Sequence, residues 1–263
     1  PDWSAVSDMI EKYLDEVREV VTATDGHAKL IAQTIKGVQK TDSAEQLGRR
    51  IAGFTHLIDI HMYRLRNLTD LVERLEHVRT GQVRNTCRQR MRRVVLFDFV
   101  EDLLEELDET PLVDPETDAG DYRDRIRAVI PRQVAVAAAP DYLANVLRDV
   151  LRNAIMYSAR ETPVKIVAYA ASPTAIQLDI TDEGYGVRAA EMERVFQPFM
   201  RSRQPQIMGE FGYGLSLYLC KNEVEAMNGR IWFQTEEGVG TTFSIKLPVW
   251  RDTSRLTSSS SQR

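Results

Sequence analysis

Asp182-Glu-Gly-Tyr-Gly-Val187 follows an alternating run, Ala175 to Ile180, that reads as a β-strand. A carboxylate is thus fixed at a strand end, and two glycines, Gly184 and Gly186, follow at a two-residue spacing. Glycine reaches backbone angles closed to other residues and lets a ligand approach the main chain. A buried Asp beside an apolar slot can accept a hydrogen bond from an exocyclic amine such as that of adenine. Taken alone, the hexapeptide fits a turn closing a hairpin equally well. The stretches on either side weigh against that plainer reading.

Upstream, Pro140 to Ser158 is expected to be a helix, with Pro140 suited to the first turn. Its apolar stripe holds Leu143, Val146, Leu147, Val150, Leu151 and Ile155. Asp149 and Asn153 are four apart and share one face. An amide oxygen beside a carboxylate is hard-ligand chemistry suited to magnesium on nucleotide phosphates, although a solvated polar face has the same spacing. Val164–Ala170 supplies a strand to pair with Ala175–Ile180. Downstream, Phe196 and Phe199 stand three apart, and the polar stretch Ser202 to Glu210 is a candidate lid. Gly209-Glu-Phe-Gly-Tyr-Gly-Leu215 then opens into a helix, Leu215 to Met227. Glycines feeding a helix N-terminus suit phosphate, because free N–H groups and the helix dipole both favour an anion there. Gly238-Val-Gly240-Thr-Thr-Phe turns into a last strand, Phe243 to Val249.

Each glycine-rich turn is weak evidence alone. In this order the set resembles the N, G1, F, G2 and G3 boxes of one ATP-binding domain. Bacterial sensor histidine kinases, gyrase, heat-shock chaperones of the Hsp ninety class and mismatch-repair ATPases share it. The resemblance spans about residues 94 to 250 and implies ATP and Mg²⁺ as cofactors. By that resemblance Asn153 would bind Mg²⁺, with Asp149 lining the phosphate side. Asp182 would take the adenine amino group, and Gly184 and Gly186 would allow close approach. Phe196 and Phe199 would brace the lid. Gly209, Gly212, Gly214 and Leu215 would form the phosphate cradle and helix start, and Gly238, Gly240 and Thr241 would close the base side.

The N-terminal part is helical in pattern. Residues 4 to 40 lack proline, and apolar residues recur at Ile10, Leu14, Val17, Val21, Thr24, Ala28, Ile31, Ile35 and Val38. Four heptads of this kind mark a helix burying a narrow seam. Thr41-Asp42-Ser43 offers a cap for a second helix, Ala44 to Arg79. Its seam is Leu47, Ile51, Phe54, Ile58, His61, Leu65, Leu68, Val72 and Leu75. The short connection predicts an antiparallel hairpin, and two such seams fill a core best as a four-helix bundle in a homodimer. A monomer with the hairpin packed on its own downstream domain is the alternative. This hairpin resembles the dimerisation and phosphotransfer domain of histidine kinases. Leu65-Arg-Asn-Leu-Thr-Asp-Leu-Val72 and Leu96-Phe-Asp-Phe-Val-Glu-Asp-Leu103 fit the order of that family.

The expected class is therefore α+β: a helical hairpin, then an α/β sandwich of the GHKL ATPase type. Its divisions are a dimerisation and phosphotransfer hairpin over 1–82, a basic hinge over 83–93, a catalytic ATP-binding domain over 94–250 and a disordered tail over 251–263. The six arginines between Arg79 and Arg93 read first as a solvated linker, or else as contact for an acidic partner. Val94–Phe97, Arg125–Ile130 and Val134–Ala138 read as short strands, Asp98–Leu107 as an amphipathic helix, and Thr110–Tyr122 as a surface loop.

The chain has 263 residues, 43% of them hydrophobic, and a net charge of −5, which fits a soluble globular protein without a nucleic-acid partner. Cys87 and Cys220 are its only cysteines and point to a reducing, cytoplasmic setting. No run is long enough to span a membrane. The chain starts at Pro1 rather than Met, which leaves room for a sensor or membrane segment upstream.

The phosphoacceptor box departs from the family pattern. His27, in Thr24-Asp-Gly-His-Ala-Lys-Leu30, is the only candidate on the first helix. Ala28 stands where an acid would follow it, and Ala32 where a proline would come. Asp25, two residues upstream, does not share its face. Gly26 costs the helix roughly 1 kcal/mol relative to Ala. His27 is thus the acceptor of a divergent subclass, a vestige in a degenerate kinase, or incidental. The first makes the chain an ATP-dependent histidine kinase core, passing a phosphoryl group from His27 to a response-regulator aspartate. The second makes it an adaptor that dimerises and docks a receiver or partner kinase without phosphotransfer.

Overall fold

A computed structural model describes residues 3–37, 43–109, 122–159, 161–200 and 213–251. The chain divides into two compact units, with the break between Leu75 and Glu76.

The first unit is the hairpin of α1 (Trp3–Lys36) and α2 (Ala44–Arg79), the latter running on into the second unit. Ser43 caps α2 by accepting the Gln46 N–H at 3.1 Å. The expected α2 seam, Leu47 to Leu75, is buried or half-buried throughout. The α1 seam differs by one step around the helix. Among the described side chains, Tyr13, Val17, Val20, Ala23, Thr24, Gly26, His27, Ile31 and Thr34 are the less exposed positions, and Val20 is buried. Of the expected seam, Leu14, Val21, Ala28 and Ile35 are exposed instead. The physical reason is that α1 carries two adjoining apolar stripes, each at heptad spacing, and one hairpin partner can cover only one. Gly26 does not break the helix, and a β-carbon added there would meet nothing within 4 Å. Val38 lies outside the described residues.

The second unit opens with α3 (Gln82–Arg90). The basic stretch read as an unstructured hinge is therefore helical, and it buries Val83 and Cys87 one turn apart. β1 (Arg92–Val95) pairs antiparallel with β3 (Ala135–Ala138), and α4 (Leu96–Glu109) buries Val100, Leu103, Leu104 and Leu107 at the helical interval. A 3₁₀ turn (Tyr122–Arg125) leads into β2 (Ile126–Val129). Residues 110–121 of the expected loop are outside the described set. α5 (Pro140–Met156) starts at Pro140 as expected and buries eight residues along its stripe.

β4 (Val164–Ser172), β5 (Ala175–Asp182), β6 (Arg230–Glu236) and β7 (Gly240–Pro248) join β2 in a five-stranded sheet ordered β2-β4-β5-β7-β6. Only the β2–β4 pairing is parallel. β6 is a strand that the sequence reading did not assign, and β7 starts three residues earlier than expected. β4 alternates buried and exposed side chains and β5 buried and half-buried ones, so one sheet face lies in the core. That core holds Ile166, Leu178, Ile180 and Ile245 from strands, Leu143, Leu147 and Leu151 from α5, and Val224 and Met227 from α6 (Ser216–Ala226) and its end. The result is α+β: a hairpin, then helices layered on a mixed sheet.

Candidate nucleotide site

Asp182 is the last residue of β5 and sits directly across from Thr241 on β7. The first and last glycine boxes are therefore neighbours in the sheet although nearly sixty residues apart in sequence. Asp182 is 5% exposed. Its Oδ1 accepts the Gly184 N–H at 3.0 Å and the Thr241 N–H at 3.2 Å. Among the described residues its other oxygen accepts no hydrogen bond. Burial pushes the carboxyl up to about 6, against the opposing pull of the Gly184 and Thr241 N–H groups and the Arg125 charge. A desolvated carboxylate with one oxygen fixed and the other open is a directional acceptor.

The glycines around it have a reason internal to the chain. A β-carbon on Gly184 would stand 2.1 Å from the Tyr157 carbonyl oxygen, and one on Gly240 would stand 2.1 Å from that of Asp182. Gly186, at φ +65°, has the Glu236 carbonyl in the same relation at 2.2 Å. The close approach these residues permit in the structure is thus that of the protein's own backbone. Thr235 of β6 ties the boxes together. Its hydroxyl accepts the Val187 N–H at 2.9 Å and donates to the Gly240 carbonyl at 3.0 Å. Gly238, at φ +79°, lies in an open turn, and its N–H donates to the Tyr185 carbonyl at 2.9 Å.

The end of α5 lies against the same turn. The Tyr185 N–H donates to the Tyr157 carbonyl at 3.0 Å, and Ser158 forms an antiparallel bridge with Gly184. Asn153 is one helical turn before Tyr157, half-exposed, and its side-chain amide has no partner among the described residues. Asp149, on the same face, accepts the Cys220 thiol of α6 at 3.5 Å. No cluster of three or more His, Cys, Asp or Glu able to hold a metal occurs among the described residues. That donor set fits magnesium held through one amide oxygen, phosphate oxygens and water, rather than by an all-protein cage.

Gly214, at φ +68°, faces the Met200 carbonyl, 2.5 Å from where a β-carbon would stand. Leu215 follows, buried, at the start of α6, with no side-chain cap there. Among the described residues, no side chain caps the first N–H groups of α6. Gly209, Gly212 and the expected lid, Ser202 to Glu210, lie outside the described residues. Phe196 packs on Phe233 of β6, ring centroids 5.8 Å apart. Phe199 is half-buried with a left-handed φ of 62°.

His27 belongs to the first unit. Its ring stacks on His61, with centroids 5.6 Å apart and planes at 17°, and on Phe54. Nδ1 of both histidines and the Thr24 hydroxyl are buried without a hydrogen-bond partner.

Residues 138–251 match the family model of histidine kinase-, DNA gyrase B-, and HSP90-like ATPases. These residues are such an ATPase domain. The adaptive-response sensory kinase SasA of Synechococcus elongatus is 34% identical over 116 residues, 44% of this chain and 30% of that protein. SasA of a Synechocystis strain is 30% identical over 123 residues, 46% of this chain and 32% of its own length. The chain thus spans about a third of the curated relatives it matches. Among solved structures, the Acinetobacter baumannii histidine kinase AdeS superposes with a TM-score of 0.54 at 19% identity, over 90% of this chain and 98% of that one. Full-length ShkA in complex with AMPPNP gives 0.53 at 17%, over 89% of this chain and 46% of its own. At such identities these two show the fold alone. Like these two structures, the chain carries a helical hairpin ahead of the matched stretch.

No helix among the described residues is long and apolar enough to cross a membrane.

Proposed function

We propose that the chain binds Mg-ATP in the ATPase domain and uses it to phosphorylate His27, from which the phosphoryl group passes to an aspartate of a response-regulator receiver. The carrying observation is the buried Asp182 carboxylate, held by two backbone N–H groups on one oxygen and open on the other. That open oxygen is suited to the adenine amine. Gly184, Gly186, Gly238, Gly240 and Thr241 shape the base side. Gly214 and Leu215 would line the phosphate side, with Phe196 and Phe199 as braces; Gly209 and Gly212, outside the described residues, are assigned to the same side by the resemblance alone.

Asn153 would hold the metal, with Asp149 beside it. Magnesium, when bound, neutralises phosphate charge during transfer, a reaction carried by positioning and electrostatics. His27 supplies the nucleophile. Nδ1 is its buried nitrogen, which leaves Nε2 to attack. The N–P bond forms as the bond to the bridging oxygen of ATP breaks, and ADP leaves. A homodimer through the hairpin fits the uncovered α1 stripe of Leu14, Val21, Ala28 and Ile35. Residues 1–82 would then be the dimerisation and phosphotransfer part, 94–250 the catalytic part, and the whole a cytoplasmic portion of a larger sensor.

Incubation with γ-labelled ATP tests this. Acid-labile label should appear on the wild-type chain and vanish in His27→Ala.

A second reading keeps the fold and the dimer but not the transfer: an adaptor that docks a receiver or partner kinase. It is favoured by Ala28 beside a His27 that stacks inside the hairpin. An unlabelled chain that still dimerises and binds ATP would support it.

A further inference from the structure

Arg125 lies outside every glycine box and ends the 3₁₀ turn before β2. Its guanidinium forks three ways. Nε donates to the Thr162 carbonyl at 2.9 Å, Nη2 to the Ser158 hydroxyl at 2.5 Å, and Nη1 to the Ile155 carbonyl at 3.4 Å. Ile155 and Ser158 bracket the end of α5, where free carbonyls carry partial negative charge. The Ser158 hydroxyl donates in turn to the Ala154 carbonyl at 2.5 Å. On its other side the same strip meets the Asp182 turn, through the Ser158–Gly184 bridge and the Tyr185 N–H to Tyr157 carbonyl bond. Gly184 then donates to Asp182 Oδ1. A continuous path of contacts therefore runs from the guanidinium to the carboxylate.

We propose that Arg125 is a positioning residue for purine recognition, holding the Tyr157–Ser158 strip against the Gly184 turn so that Asp182 meets the exocyclic amine in one fixed pose. The proposal rests on the reading that Asp182 takes the adenine amine. It goes beyond that reading by making selectivity for the amine depend on a residue that touches neither base nor phosphate. The charge of Arg125 acts in the same direction, since it favours the ionised form of Asp182.

The test is calorimetric titration of the full chain with Mg-ATP and with Mg-ITP, which carries a carbonyl oxygen in place of the amine. The wild type should prefer ATP. Arg125→Met should lower the ATP-over-ITP ratio about tenfold, mostly through ATP, the loss expected when one well-placed hydrogen bond goes out of register. Arg125→Lys keeps the charge but not the fork and should fall between. Ser158→Ala cuts the side-chain link and should move the ratio the same way. If Arg125→Met does not fold, the Lys and Ser158 variants carry the test. A bracing role with no bearing on the amine would weaken both nucleotides together, and an unchanged ratio in these variants overturns the proposal. Asp182→Asn is the reference. If it too keeps the wild-type ratio, the assignment of Asp182 fails. If it alone collapses the ratio, only the role of Arg125 does.

Discussion

Asp182 faces two opposing demands. Burial raises its carboxyl from 3.8 to about 6, so the folded chain holds a proton in that window that the unfolded chain has lost. Stability from this group is therefore present at low pH and is lost as pH rises through about 6. The loss is ~3 kcal/mol if the whole difference is expressed. The charged form is the one that accepts an amine without ambiguity. Asp182→Asn should then melt higher than the wild type at pH 7.5 without ligand, and the gap should close as pH falls below 5. Thermal melts across that range check it, and a gap that does not depend on pH would contradict it. ATP affinity of the wild type should run the opposite way, weakening as pH drops through 6. Gly184→Ala belongs to the same scale. Its β-carbon would meet the Tyr157 carbonyl oxygen at 2.1 Å and Asp182 Oδ1 at 2.7 Å, so a loss above about 2 kcal/mol in denaturant midpoint analysis is expected. The glycine spacing was legible in the sequence because φ and contact requirements are local. Arg125 and Thr235 were not, because each bonds residues brought to it by the fold: Ile155 lies 30 positions from Arg125, and Val187 48 from Thr235.

Among the elements, α1 shows how far a pattern can be trusted. Heptad spacing announced a seam, but two stripes share that spacing, and only pairing with α2 decides which turns inward. Val17, Thr24 and Ile31 belong to both accounts, whereas Leu14 and Val21 were placed on the wrong one. Gly26 is a test of the helix itself. With no clash awaiting a β-carbon, Gly26→Ala should raise hairpin stability by about 1 kcal/mol, read from urea unfolding followed by circular dichroism. The exposed stripe makes a separate prediction. Val21→Glu, at a residue 56% exposed in the single chain, should leave the monomer folded and shift light scattering from dimer to monomer. α3 escaped notice because only Val83 and Cys87 mark its inner face among seven polar neighbours. β6 carried a readable signal, Ile231-Trp-Phe233 between Gly229 and Gly238, that the stronger glycine pattern beside it overshadowed.

For the molecule as a whole, order along the chain carried more than any one motif. Five weak boxes in sequence pointed to an α+β fold, and the five-stranded sheet explains why: adjacency of β5 and β7 puts the first and last glycine boxes side by side. The hairpin and the ATPase domain pose different questions, and nucleotide binding is prior to phosphotransfer. The most direct measurement is a calorimetric titration of Mg-ATP into the intact chain at pH 7.5, beside the Asp182→Ala variant. A single saturable site per chain is predicted, weakened at least about tenfold in the variant, as for loss of a hydrogen bond to a buried charged acceptor. Equal affinity in the two would mean that the base lies elsewhere and that the account of the site is wrong.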